Sequence, residues 1–186
     1  ANQRVARLLC AWGRDVAVQE ADYVGLGTCA AAAAVASGGK GCTWGCLGLA
    51  DCERSCDFDA IAMNDVGLPV VDPVRCTACG DCVEACPKDL FVLMPLAHHL
   101  LVQCRNLLDG DAATAVCQVA CNGCRRCVAD AAPDLITIQS GLAIVDYDRY
   151  DLASPDAITR CPTGAIVWIT GVQFSEPARV LQGAAP

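Results

Sequence analysis

The spacing of the cysteines constrains this chain more than any other feature of its sequence. Sixteen of its 186 residues are cysteine. One run matches the spacing C-x2-C-x2-C-x3-C-P without deviation, and it consists of Cys76, Cys79, Cys82, Cys86 and Pro87. In bacterial ferredoxins the first three cysteines of such a run bind one [4Fe–4S] cluster, and the fourth binds a second cluster nearby. The run therefore predicts two clusters that exchange ligands within one small unit.

A second, looser run supplies the partner ligands. It has the spacing C-x3-C-x5-C-x3-C and consists of Cys42, Cys46, Cys52 and Cys56. Exchange of the last cysteine of each run then predicts two complete ligand sets. The first set is Cys42, Cys46, Cys52 and Cys86, and the second set is Cys56, Cys76, Cys79 and Cys82.

The pattern repeats along the chain, but the repeat is incomplete. Residues 59–72 and 134–146 are each two short β-branched runs around a Gly-containing turn, which predicts two β-hairpins. The second hairpin lacks the following cysteine triplet, and Tyr150, Asp151, Ser154 and Ala157 stand in that neighbourhood. In the run that precedes this hairpin, Ala131 stands at the position of the fourth cysteine, after Cys121, Cys124 and Cys127. Because the missing ligands all belong to one cluster, this half is predicted to bind one cluster, through Cys121, Cys124, Cys127 and Cys161.

Four cysteines stand outside these motifs: Cys10, Cys29, Cys104 and Cys117. Two interpretations remain open. Cysteine is often buried as a small hydrophobic residue, so the four could be structural thiols. Alternatively, they form one extra site between the two connecting segments, for a fourth cluster or a zinc ion.

Composition narrows the classes of function. The formal net charge of −8 argues against a nucleic-acid partner and favours docking onto basic patches of redox proteins. The apolar run Ala30–Ala36 is too short to span a bilayer, which takes about 20 residues. Sustained thiolate ligation requires a reducing compartment. We therefore expect a cytoplasmic chain without a membrane span, with peripheral association at the cytoplasmic face of the inner membrane left open.

Two other classes of protein share part of the cysteine pattern. The spacing Cys117-x3-Cys121-x2-Cys124 also occurs in radical S-adenosylmethionine enzymes, but those need a large barrel for which this chain has no room. A zinc-binding module would favour paired cysteines, commonly with His, over triplets followed by a remote Cys-Pro. The only histidines, His98 and His99, lie outside every motif.

The predicted fold class is α+β, with tandem bacterial-type ferredoxin-like units and small β–α connector segments. The expected division is an N-terminal connector at 1–40, a two-cluster unit at 41–95, a second connector at 96–118, a degenerate one-cluster unit at 119–170 and a tail at 171–186.

Three stretches, Cys42–Ile61, Cys76–Lys88 and Val116–Cys127, resemble the B subunit of Rnf complexes, which are membrane-bound ferredoxin:NAD+ oxidoreductases. The resemblance runs from about Val5 to Val167. It implies a polyferredoxin that relays single electrons from a ferredoxin-like donor to a flavoprotein or membrane-complex acceptor, with no catalysis by this chain alone. The sequence departs from the family pattern in lacking a membrane helix and the ligands of one cluster. The alternative function is the iron–sulfur subunit of a flavin- or molybdenum/tungsten-containing oxidoreductase.

Overall fold

In a computed structural model, which describes residues 3–174, the chain is an α+β protein built on short antiparallel strand pairs. The eight strands are β1 (Arg4–Leu8), β2 (Ile61–Met63), β3 (Pro69–Val71), β4 (Phe91–Pro95), β5 (Leu100–Val102), β6 (Ile136–Gln139), β7 (Leu142–Val145) and β8 (Ile166–Trp168). The six helices are α1 (Cys29–Ala34), α2 (Ala36–Gly39), α3 (Asp51–Arg54), α4 (Asp81–Ala85), α5 (Gly110–Val116) and α6 (Arg126–Asp130). Two 3₁₀ helices, Tyr147–Leu152 and Pro155–Ile158, follow β7.

Both predicted hairpins are confirmed. Strands β2 and β3 pair antiparallel with Ile61 opposite Val71, and β6 and β7 pair with Ile136 opposite Val145. The residues that lead into the two hairpins, Asp59 and Asp134, both adopt a positive φ, of 49° and 62°. The sequence repeat is therefore also a repeat of backbone conformation.

Each hairpin is accompanied by a second strand pair. Strands β1 and β4 lie on either side of the first hairpin in the sequence and pair antiparallel with each other. Strands β5 and β8 lie on either side of the second hairpin and pair in the same way. We call residues 3–95 the first half and residues 96–174 the second half. The strands β1 and β5 lie in the segments predicted as connectors, yet each completes the strand pairs of its own half.

The Ala-rich helix α1 is short and ends before the pair Gly38-Gly39. Helix α1 begins after Thr28, whose side chain accepts a hydrogen bond from the backbone N–H of Ala31. It ends at Ala34, and α2 is a single irregular turn in which Ser37 and Gly38 have φ values of 51° and 64°. The helix is therefore already interrupted before Gly39.

The segment after β8 returns to β1 and packs along it. The side chain of Gln173 is buried and donates to the carbonyl of Leu8 at 2.8 Å, while its Oε1 accepts from the Leu8 N–H at 2.9 Å. The guanidinium of Arg7 donates from Nη1 to the carbonyl of Gly171 at 2.9 Å. These bonds satisfy polar groups of β1 that its pairing with β4 leaves open. The start of the predicted tail thus packs on the first half, and residues 175–186 lie outside the described residues.

Within residues 3–174, no helix combines the length and the apolar character that crossing a bilayer would require.

Candidate metal centres

The sixteen cysteines fall into four groups, each of which surrounds a small cavity. We name them the first site (Cys29, Cys46, Cys52, Cys86), the second site (Cys56, Cys76, Cys79, Cys82), the third site (Cys121, Cys124, Cys127, Cys161) and the central site (Cys10, Cys42, Cys104, Cys117). The cavities have volumes of about 20, 10, 10 and 20 Å³ in that order. All sixteen cysteines lie within residues 3–174, and none of them is part of a disulfide.

The second and third sites contain the residues predicted for them. In the second site, Cys56 lies just after α3, the other three cysteines precede or lie in α4, and Ala60, Ile61 and Leu93 complete the wall. In the third site, the triplet leads into α6, and Cys161 approaches from the segment before β8. The structure thus brings each triplet together with the one remote cysteine that ligand exchange requires.

The first site differs from the predicted set in one residue. Cys46, Cys52 and Cys86 line one cavity, but their fourth neighbour is Cys29 instead of Cys42. A hydrogen bond explains why Cys29 takes the place predicted for Cys42: the backbone N–H of Ala30 donates to Oδ2 of Asp51 at 3.0 Å. This bond ties the first turn of α1, which starts at Cys29, to the first turn of α3, which contains Cys52.

Cys42 lies instead in the central site, with three of the four cysteines that stand outside the motifs. The predicted extra site joined Cys29 to Cys10, Cys104 and Cys117, and the structure places Cys42 in that position. No feature of the linear spacing signals the exchange, because both cysteines precede Cys46 and neither belongs to a C-x2-C pair. Only the contact between α1 and α3 distinguishes them.

Burial makes most of these thiols hard to ionise without a metal. Burial, with a smaller contribution from neighbouring thiols, raises the pKa of Cys46 to about 12 and that of Cys117 to about 11. Cys161 is different: burial alone would raise its pKa, but hydrogen bonds from backbone N–H groups, that of Ile166 first, bring the net pKa below the usual value. Thiolates are the ligands of iron–sulfur clusters, and metal binding displaces the thiol protons.

The donor sets fit iron–sulfur clusters in number and chemistry. Each cavity is lined by four cysteine side chains, and a [4Fe–4S] cluster takes four thiolates. Among the residues that the structure describes, no three His, Cys, Asp or Glu side chains have a geometry that could hold one metal ion.

The segment that lacks the second triplet is filled by packing. Ala157 is buried, Ala131, Ala153 and Ile158 pack against the same core, and the 3₁₀ helix Pro155–Ile158 lies against α6. At the surface beside this segment, Arg160 forms a bidentate ion pair with the carboxylate of Asp130 through Nε and Nη2. Small side chains and a salt bridge thus occupy the place of the absent ligands.

The spacing that resembles a radical S-adenosylmethionine motif does not form one site. Cys117 belongs to the central site, whereas Cys121 and Cys124 belong to the third. The three cysteines therefore do not share a cavity.

Comparisons with known proteins support the binding of [4Fe–4S] clusters. Residues 41–91 match the family described as 4Fe-4S dicluster domain. The chain is 39% identical over 166 residues to the B subunit of the Na(+)-translocating ferredoxin:NAD(+) oxidoreductase complex of Acetobacterium woodii, covering 89% of this chain and 50% of that protein. It is 38% identical over 164 residues to the B subunit of the proton-translocating ferredoxin:NAD(+) oxidoreductase complex of Clostridium ljungdahlii, covering 88% and 58% of the two chains.

A third relative is archaeal. The B subunit of the ion-translocating oxidoreductase complex of Methanosarcina acetivorans is 34% identical over 157 residues, which are 84% of this chain and 59% of that protein. The chain thus spans between 50% and 59% of the length of these curated relatives. The resemblance to Rnf B subunits expected from the cysteine-rich stretches is confirmed, since three relatives named as B subunits of ion-translocating oxidoreductase complexes are similar to the chain over 84% to 89% of its length.

Proposed function

We propose that this chain is an electron-transfer polyferredoxin that holds [4Fe–4S] clusters at its first, second and third sites. One observation carries the proposal: three cavities are each walled by four cysteines that come from two or more separate parts of the chain. When bound, such clusters supply one-electron chemistry over a wide range of potentials. The rest of the chain serves to hold them, shield them from water and set the charge around them.

The proposed ligands are Cys29, Cys46, Cys52 and Cys86 for the first site, Cys56, Cys76, Cys79 and Cys82 for the second, and Cys121, Cys124, Cys127 and Cys161 for the third. Alternating ligands along two helical segments hold the first two sites close together. Cys52 and Cys56 lie within and just after α3, and Cys82 and Cys86 lie within and just after α4. The two halves are accordingly proposed as tandem ferredoxin-like units, one with two such sites and one with a single site.

Exposure of the ligands indicates where electrons enter and leave. Cys79 of the second site and Cys124 of the third site are exposed, whereas the cysteines of the first site are buried or half-buried. Electron transfer between proteins requires a close approach of the redox centres, so the second and third sites are the proposed docking points. The net charge of −8 favours partners with basic surfaces.

Two relatives are named as subunits of ferredoxin:NAD(+) oxidoreductase complexes, which indicates a ferredoxin as the class of donor. We propose a ferredoxin-like donor of low potential and a flavoprotein or membrane-complex acceptor, with each electron taken from the donor delivered singly to the acceptor. The reducing conditions that thiolate ligands need favour a cytoplasmic location, including the cytoplasmic face of a membrane.

A paired-variant experiment tests the ligand sets. Cys161→Ala is expected to lower the iron content by about four atoms per chain, because it opens one cluster site. Adding Cys124→Ala, from the same site, is expected to remove no further iron. The matched variant Cys79→Ala with Cys161→Ala also removes two cysteines, but from two sites, and is expected to lose about eight iron atoms. Equal losses in the two double variants would contradict the assignment.

A transfer assay tests the function itself. A reduced bacterial 2[4Fe–4S] ferredoxin, mixed anaerobically with the oxidised chain, is expected to bleach the chain's broad visible absorption. Subsequent addition of an oxidised flavoprotein should restore that absorption. A chain that carries its clusters but accepts no electrons from the ferredoxin would overturn the proposed role while leaving the sites in place.

A further inference from the structure

The central site is the most buried of the four groups and lies where the two halves meet. Its cysteines, Cys10, Cys42, Cys104 and Cys117, are each between 5% and 8% exposed. Two come from the first half and two from the second. Cysteines that pack as small hydrophobic residues and cysteines that bind metal can both be buried. The groups around the sulfur atoms distinguish the two roles.

Backbone hydrogen bonds between the two halves bring the four cysteines together. The N–H of Ala11 donates to the carbonyl of Gln103 at 3.2 Å, which aligns Cys10 with Cys104. Residues 16–18 run beside residues 116–118, with Ala17 bridged to Cys117. The same segment also accepts the N–H of Gly41 at 3.0 Å, through the carbonyl of Val18, and so positions Cys42. Convergence of four cysteines from four segments is therefore built into the backbone.

Two sulfurs of the central site accept backbone hydrogen bonds. Sγ of Cys104 accepts from the N–H groups of Asn106 and Cys121, each at 3.4 Å, and Sγ of Cys10 accepts from the N–H of Cys46 at 3.5 Å. Hydrogen bonds to the sulfur stabilise the charged thiolate and are one of the ways in which proteins adjust the potentials of iron–sulfur clusters. Thiols that served only as hydrophobic packing would need no such donors.

Two buried N–H donors from residues that line the same cavity also lack a hydrogen-bond acceptor. Trp12 Nε1 and Asn106 Nδ2 are buried, and neither has a hydrogen-bond partner among residues 3–174. Both residues line the central cavity. Since buried donors are nearly always satisfied, these two indicate an occupant that can accept hydrogen bonds, as the sulfides of a cluster can.

The hydrogen bonds at the central site also connect it with two neighbours. The N–H that reaches Cys10 belongs to Cys46 of the first site, and one N–H that reaches Cys104 belongs to Cys121 of the third site. A single hydrogen bond therefore links the central site to each of these sites. The sites follow one another in the order second, first, central and third, with exposed cysteines at the two ends.

We propose that Cys10, Cys42, Cys104 and Cys117 ligate a fourth [4Fe–4S] cluster, which joins the clusters of the two halves into one series. The cavity has the same volume as that of the first site, about 20 Å³ in each case. Each electron that the central cluster gains is lost by one neighbour and then passes to the other, so no further reactant is consumed. The existence of the site is independent of the proposed function, whereas its role in the relay rests on that function.

Metal and sulfide counts on the wild-type protein test the site directly. Four clusters correspond to about 16 iron atoms and 16 acid-labile sulfides per chain, and three correspond to about 12 of each. The chain is reconstituted anaerobically with iron and sulfide, desalted and assayed for iron, sulfide and zinc. About 16 iron atoms, about 16 sulfides and no zinc are expected. About 12 iron atoms, with or without one zinc ion, would overturn the fourth cluster while leaving the three proposed sites intact.

A pair of double variants tests which cysteines belong to the central site. Cys10→Ala with Cys42→Ala removes two ligands of one site and is expected to lower the iron content by about four atoms. Cys10→Ala with Cys29→Ala removes the same number of cysteines from two sites and is expected to cost about eight. The reverse pattern would restore Cys42 to the first site and overturn the assignment. Circular dichroism checks that each variant is folded, and the wild-type count decides the number of clusters if a variant is not.

Discussion

Residues 73–86 follow the first hairpin and residues 147–161 follow the second, and the two segments support their halves by different means. The first contributes four cysteines to two sites, with only one short helix, α4. The second contributes one cysteine and two 3₁₀ helices, and packs Tyr147 and Tyr150 against the start of β5. The same backbone repeat can therefore be completed either by cysteines that line a cavity or by side-chain packing.

The two halves also differ in buried charge. Arg7 on β1 is fully buried beside Cys76, and two of its guanidinium nitrogens have no hydrogen-bond partner among the described residues. The corresponding residue in the second half is Leu101, which is equally buried and packs with Tyr147. A buried cation is costly without a compensating charge. The half that contains the cysteines of the second site carries the cation, and the half that lacks the corresponding cysteines carries a leucine.

Iron removal should separate the two halves most strongly. We expect a chelator to accelerate amide hydrogen exchange in β2 and β3 by about tenfold more than in β6 and β7, because the first half depends on two ligand sets and the second has its tyrosines. A tenfold difference corresponds to about 1.4 kcal/mol in opening free energy. Exchange is followed by mass spectrometry with the cluster-loaded protein as control. Equal acceleration in both hairpins would show that packing in the second half does not replace the ligands.

Replacing Arg7 with leucine, the residue at the corresponding position of the second half, tests the effect of the buried charge. Arg7→Leu should lower the midpoint potential of one cluster by tens of millivolts, since reduction adds a negative charge that the guanidinium stabilises, and about 59 mV equals a tenfold change for one electron. A redox titration followed by electron paramagnetic resonance measures it. Arg4→Leu is the matched control: it removes the same charge from the same strand, at an exposed position. Identical shifts in both variants would mean that overall charge, and not the burial of Arg7, sets the potential.

The sequence was sufficient for the local motifs and insufficient for the contacts between distant segments. Both hairpins follow from β-branched runs and glycine turns, and the residues of the second and third sites follow from cysteine spacing. The exchange of Cys29 for Cys42 depends on the bond between α1 and Asp51, and no local pattern encodes that contact. The pairing of β1 with β4 likewise has no local signal in the sequence, since the two strands lie at opposite ends of the first half.

Tyr150 tests whether packing stabilises the second half as the comparison requires. Its hydroxyl oxygen accepts hydrogen bonds from the backbone N–H groups of His99 and, at 3.4 Å, Leu100, so that it holds the start of β5. Tyr150→Phe leaves these donors without their acceptor and should lower the free energy of unfolding by about 1–3 kcal/mol.

The iron content of Tyr150→Phe should stay at the wild-type value, because no cysteine of the third site contacts the hydroxyl through these bonds. Thermal unfolding of the loaded protein measures the loss of stability, and Tyr23→Phe is the control. Tyr23→Phe also loses one hydrogen bond, from the hydroxyl to the carbonyl of Leu26, but that bond is exposed to solvent, so its loss should cost less than about 0.5 kcal/mol. If both variants cost the same, or if Tyr150→Phe loses iron, then the second half depends on its cluster as much as the first half does.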